Sequence, residues 1–145
     1  MTNALGEYLK DRKNLPQRAL LKKIFGIYIG GMRILKKHRK IRNEDLENVT
    51  KIFIRIIDFV YVENFNNRLF FRIINRGQES VVANFLYIIL NAENVKLYST
   101  APEIASLFGI SAQTISNNYR DMCKKCDIPC EPKAYGKIIL PEKFL

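Results

Sequence analysis

Apolar residues recur at three- and four-residue steps through most of this chain, and that period predicts a protein built from helices. From Leu15 onward, Leu21, Ile24, Phe25, Tyr28, Met32 and Leu35 form one stripe, with Lys22, Gly26, Arg33 and Lys37 opposite. They predict a helix to His38, weakened in the middle by Gly30–Gly31, where a kink or a break is expected. Asn43, Glu44 and Asp45 mark a second start, followed by the stripe Leu46, Val49, Phe53, Ile56, Ile57 and Val60 over 44–62. Residues 63–77 read as a connector with a short apolar piece, Leu69 to Ile74, and arginines at 68, 72 and 76. Residues 78–92 are apolar nearly all round, which predicts a central helix with the others packed on it. Past Cys126 the period is lost. Pro129, Pro132 and Pro141 punctuate a tail in which Lys137 to Leu140 reads as one extended segment, either lying across the domain or forming a small wing.

The stretch Ser99 to Lys125 carries the densest set of local signals and reads as a helix-turn-helix. Thr100 and Glu103 stand at capping-box spacing, and Pro102 falls in the first turn, where its missing N–H costs little. Ile104, Leu107 and Phe108 give an apolar face with small Ala105 beside it. Gly109 suits the left-handed stop of a helix, and Ser111 suits the N-cap of the next. In that second helix Ile115, Tyr119 and Met122 face inward, leaving Gln113, Ser116, Asn117 and Arg120 outward. Glutamine and asparagine can pair bidentately with adenine, arginine with guanine, and serine with bases or phosphates. The outward set is therefore predicted to read bases in a major groove, and the alternative is an ordinary helix pair with a solvated polar face.

Charge sharpens this picture by its placement. The 145 residues carry a net charge of +10. Residues 1–43 hold twelve lysines and arginines against Glu7 and Asp11, while residues 44–145 hold twelve of each sign. The whole excess thus lies in the first third, a composition that attracts polyanions. Lys36, Lys37, Arg39, Lys40 and Arg42, together with Ser111, are the candidate phosphate contacts. About six cations of the basic N-terminal third on phosphates would give a log–log salt slope near −5. The same run also suits the negative end of a helix dipole, and a solvated basic surface or a nuclear-import signal are the blander readings.

Other chemistry is thin. Cys123, Cys126 and Cys130 are spaced C-x-x-C-x-x-x-C, but zinc needs a fourth ligand and the lone histidine, His38, is remote in sequence. Buried small apolar side chains explain these cysteines more simply, and no metal or other cofactor is expected. Phosphate-cradling glycine loops, nucleophile–base sets and paired carboxylates are not recognisable, so an enzyme is not expected. The polar N-terminus lacks a signal-peptide core, and the longest apolar run, Val81 to Leu90, is too short to span a bilayer. An intracellular protein is expected, cytoplasmic in a prokaryotic setting and nuclear in a eukaryotic one.

Residues 77–122 resemble the second cyclin-like repeat of transcription factor IIB and of its archaeal counterpart, transcription factor B. The resemblance runs through Gly77, Ser80, Ala83, Leu86, Tyr87 and Ile88, then Glu103-Ile104-Ala105, Gly109-Ile110, Thr114-Ile115, Asn117 and Tyr119. It covers about a third of the chain. It implies an all-α, single cyclin-like five-helix domain whose third helix is central and whose last two form a helix-turn-helix that reads promoter DNA. It also implies double-stranded DNA as partner, with RNA polymerase or a TATA-binding protein beside it, and a viral or archaeal setting. Where that family has an arginine in its Thr-Ile-Arg or Thr-Val-Arg, this chain has Ser116, and Gln113 replaces an aliphatic residue. Both differences fall at base-reading positions and imply an altered sequence preference. The chain has room for one repeat and shows no zinc ribbon, so a stripped-down relative is expected rather than a complete initiation factor.

The expected organisation is a flexible basic N-terminus over 1–14 and a helical domain over 15–126. The helix-turn-helix occupies 100–125, and an irregular tail runs over 127–145. Two competing functions remain: a cyclin-like module whose cleft binds a partner protein, and a dimeric repressor with its N-terminal helix as the seam.

Overall fold

The computed structural model describes residues 2–131 and 137–145. The fold is all-α: seven helices form around one continuous apolar core, and no strand occurs among the described residues. They are α1 (Thr2–Lys10), α2 (Arg18–His38), α3 (Asn43–Asp58), α4 (Phe71–Ile74), α5 (Gln78–Leu90), α6 (Ala101–Phe108) and α7 (Ala112–Lys125). A π-helical turn, Phe59–Glu63, continues α3, and a short 3-10 turn, Arg68–Phe70, leads into α4.

Helix α5 is central because it has almost no polar face. Val81 to Leu86 and Ile88 to Leu90 are all buried, and α2, α3, α6 and α7 pack around them. Helix α1 instead rests on α2 and α3. The order seen over residues 2–10 corrects the expectation of a flexible N-terminus. Leu5 and Tyr8 are buried, and the Tyr8 hydroxyl donates to Asp58 Oδ1 at 2.5 Å. Arg12 reaches the same carboxylate at 3.2 Å and lays its guanidinium 3.9 Å from the centre of the Tyr8 ring. Leu5, Tyr8 and Leu9 do stand at helical spacing, but a single such turn is too short to announce a stable helix. The order comes from α3, fifty residues away in sequence.

Helix α2 runs unbroken through Gly30–Gly31. Its seven buried residues, Leu21 to Leu35, give packing that outweighs two poor helix formers. Gly31 is there for space: a Cβ on it would lie 2.3 Å from the Phe108 ring, so α2 and α6 approach closely only because no side chain intervenes. One turn earlier on the buried face of α2, Tyr28 stacks on Phe53 of α3 with centroids 4.1 Å apart.

The tail lies across the domain and stands as no wing among its described residues. Ile138, Leu140 and Phe144 are buried. Asn94 pairs with both backbone groups of Leu140, at 2.7 and 3.2 Å, and Phe144 meets Phe59 edge-on at 5.4 Å. Pro132 lies outside the described residues.

Two buried tyrosines differ in a way that measurement can check. Tyr28 shares a 3.0 Å hydrogen bond with Thr50, whereas the Tyr61 hydroxyl is buried with no partner among the described residues. Tyr28→Phe is expected to lower the unfolding free energy by about 1 kcal/mol, while Tyr61→Phe is expected to be neutral or stabilising. Urea denaturation of the two variants beside the parent decides it.

Candidate nucleic-acid interface

Helices α6 and α7 meet at the turn Gly109–Ser111, built as the local sequence requires. Gly109 takes φ +67°, a left-handed conformation that a β-carbon penalises. Ser111 Oγ accepts from the Thr114 amide at 3.3 Å and caps α7. Thr100 Oγ1 likewise accepts from the Glu103 amide at 3.3 Å. The Glu103 carboxylate does not return to Thr100 but accepts from the Ser99 hydroxyl at 3.0 Å, one residue earlier than the capping-box spacing suggests.

Helix α7 is fixed from behind by Ile115, Tyr119, Met122 and Cys123, all buried against the core. Tyr119 meets Tyr87 of α5 edge-on at 5.1 Å. Its solvent face carries Gln113, Ser116, Asn117 and Arg120, all exposed. Gln113 Nε2 donates to Asn117 Oδ1 at 2.8 Å, which leaves the Gln113 carbonyl to accept and the Asn117 amide to donate outward. That is the complement of an adenine edge in the major groove. Arg120 is steadied by the Tyr119 hydroxyl, which accepts from Nε at 3.2 Å. Lys124 belongs to this face and was not among the sequence candidates. It is exposed and lies four residues beyond Arg120, so helical spacing alone could have found it.

The basic run at the end of α2 splits into three groups. Lys36 donates to Asn43 Oδ1 at 3.3 Å and Arg42 pairs with Asp45 at 3.2 Å, so both lean toward the start of α3. Lys37 and Lys40 are exposed and make no hydrogen bond or ion pair with a described residue. Arg39 turns the other way and donates to the carbonyls of Leu97 and Tyr98 at 2.7 and 3.0 Å. Those carbonyls belong to the loop that feeds α6. Asn91 grips the same loop, donating to the Ser99 carbonyl at 2.7 Å and accepting from the Ser99 amide at 3.3 Å. The loop needs such staples, since Lys96 and Tyr98 both have positive φ, at 58° and 28°. Arg39 therefore joins the basic end of α2 to the entrance of the helix pair.

The cysteines sit behind this surface. Cys123 and Cys126 are buried and Cys130 is partly so. Burial pushes the Cys123 and Cys130 thiols up and Cys126 to about 12. Among the described residues no three potential ligands gather into a metal site, and no helix is long and apolar enough to cross a membrane.

No family model, curated protein or solved structure matches this chain.

Proposed function

We propose that this protein binds double-stranded DNA in a sequence-dependent manner and acts in transcription, with α7 as the recognition helix. The observation that carries this reading is the solvent face of α7. Gln113, Ser116, Asn117, Arg120 and Lys124 form one exposed polar stripe on a capped helix whose back is buried. A face meant only for water has no need of this set of bidentate groups, held on a rigid support. The likeness to a cyclin-like repeat of transcription factor IIB agrees with this reading and suggests a polymerase or TATA-binding protein nearby.

Phosphate contacts fall to Lys36, Lys37, Lys40, Arg42 and Lys124, and Ser111 lies at the N-terminus of α7, where backbone amides also meet phosphates. Five cations on phosphates correspond to a log–log salt slope of about −4.5. The test is selection from a random duplex library at low and moderate salt, followed by titration of the enriched site. An enriched motif that survives moderate salt, with preference relaxed by Gln113→Ala and affinity lowered alike for all sequences by Lys37→Ala plus Lys40→Ala, is the expected result. Binding without enrichment that vanishes as salt rises would overturn base reading by α7.

A further inference from the structure

A second surface, away from α7, carries unpartnered charge and unpartnered apolar area together. The 3-10 turn and α4 bury Phe70 and Ile73, and so turn Arg68, Leu69, Phe71 and Arg72 outward. Leu69 is 63% exposed and Phe71 43%. Leu69 and Arg72 stand three residues apart, as do Arg68 and Phe71, so each apolar side chain has an arginine as its helical neighbour. No aspartate or glutamate occurs between Glu63 and Glu79 to offset them. Helix α4 packs on the π-helical turn and the 3-10 turn, whereas α7 packs on α5 and α6, so this crest is no part of the α7 face. The Phe70 ring joins it to the pole of the molecule: Phe70 meets Phe59 at 5.6 Å, and Phe59 meets Phe144 at 5.4 Å. A cleft of about 380 Å³ opens beside Phe59 and Phe144; Arg12, Arg55 and Lys143 line it together with Asp58 and Glu63, so its charge is mixed and the positive charge of this surface rests on Arg68 and Arg72.

We propose that the Arg68–Arg72 crest docks an acidic amphipathic segment of a protein partner. Carboxylates of the segment pair with Arg68 and Arg72, and its aliphatic or aromatic side chains cover Leu69 and Phe71. Arginine and aromatic residues are the side chains that most often anchor protein interfaces. Duplex DNA would neutralise the arginines but leave both apolar side chains in water. Single-stranded bases could stack on Phe71, but Leu69, the more exposed of the two, offers no π face. A protein that reads DNA through α7 would thereby hold a second component from another side, and the proposal stands whether or not α7 reads bases.

The experiment uses the full chain and a fluorescein-labelled sixteen-residue peptide of Asp and Glu, with Leu and Phe at every third and fourth position. A version with Lys replacing the acids, and a labelled oligothymidine, serve as comparisons. Fluorescence anisotropy in roughly 0.15 M salt, where charges more than about 8 Å apart are largely screened, reports binding. The acidic peptide is expected to bind, with affinity at least tenfold weaker for R68Q plus R72Q and at least fivefold weaker for L69S plus F71S. Duplex affinity is expected to change less than threefold in either double variant. All four positions are exposed, and thermal melts establish that both variants fold. The proposal is overturned if the acidic peptide does not bind, or if neither pair of substitutions weakens it. It is equally overturned if only the arginine pair matters, which is charge attraction without docking, or if oligothymidine is the ligand lost with the arginines.

Discussion

Gly31→Ala is expected to destabilise the fold by up to about 2 kcal/mol, because about 1–3 kcal/mol for forcing extra atoms into a packed contact outweighs the helix-propensity gain. Gly30→Ala, one residue earlier on the same helix, is expected to stabilise it by about 0.5–1 kcal/mol. The opposite signs follow from what each new methyl group meets. At Gly31 it would lie 2.3 Å from the Phe108 ring, while at Gly30 nothing stands within 4 Å. Phe108 is a side chain at the end of α6 and must swing aside, taking with it the contact that sets α6 against α2. A double-mutant cycle with Phe108→Ala isolates the cause, because the penalty at Gly31 should shrink once the ring is gone. Urea unfolding supplies the free energies. Equal effects at the two glycines, or a Gly31 penalty undiminished in the Phe108→Ala background, would remove the close approach as the explanation.

Arg39→Ala is expected to cost about 2 kcal/mol, because it removes two charge-assisted hydrogen bonds that staple the loop before α6. Site-specific DNA affinity should fall with it, since the staple positions the helix pair. The slope of affinity against salt should stay unchanged, because this guanidinium is committed to carbonyls rather than phosphates. Lys40→Ala reverses the pattern: stability within about 0.5 kcal/mol of the parent, and a slope shallower by about 0.9. Thermal or urea melts together with salt titrations of the two variants separate the roles. A normally stable Arg39→Ala protein with a slope reduced by a full unit would return Arg39 to the phosphate-binding set.

These two residues show where sequence reasoning stops. Arg39 sits in the run Lys36 to Lys40, four lysines and arginines with His38 among them, and nothing local distinguishes it from Lys40. Its partners are backbone carbonyls 58 and 59 residues away, and any residue type could have supplied those carbonyls. Gly31 beside Gly30 reads as a weak point in a helix, since the only local consequence of glycine is poor helix propensity. Its use as a gap for Phe108 depends on α6 arriving alongside. The N-terminal helix is hard to read for a related reason: Leu5, Tyr8 and Leu9 make only one amphipathic turn, too short to hold a helix alone, and Asp58 completes their environment. The Arg68–Arg72 crest was visible as a spacing of arginines, but whether Leu69 and Phe71 were core or surface waited on the burial of Phe70 and Ile73.

By itself the sequence determined several features whose physics is local. The stripes of α2, α3 and α5 follow from helical period, and the stop at Gly109 from a left-handed φ without a β-carbon. The caps at Thr100 and Ser111 follow from hydroxyls within reach of free amides, and the exposed face of α7 from the residues its own period buries. The tertiary structure alone decided which cations remain free to meet a ligand, which glycine is a spacing device, and that both chain ends close onto the core. Those outcomes depend on contacts between residues tens of positions apart. Their free energy arises only when the helices pack, and no window along the chain contains both partners.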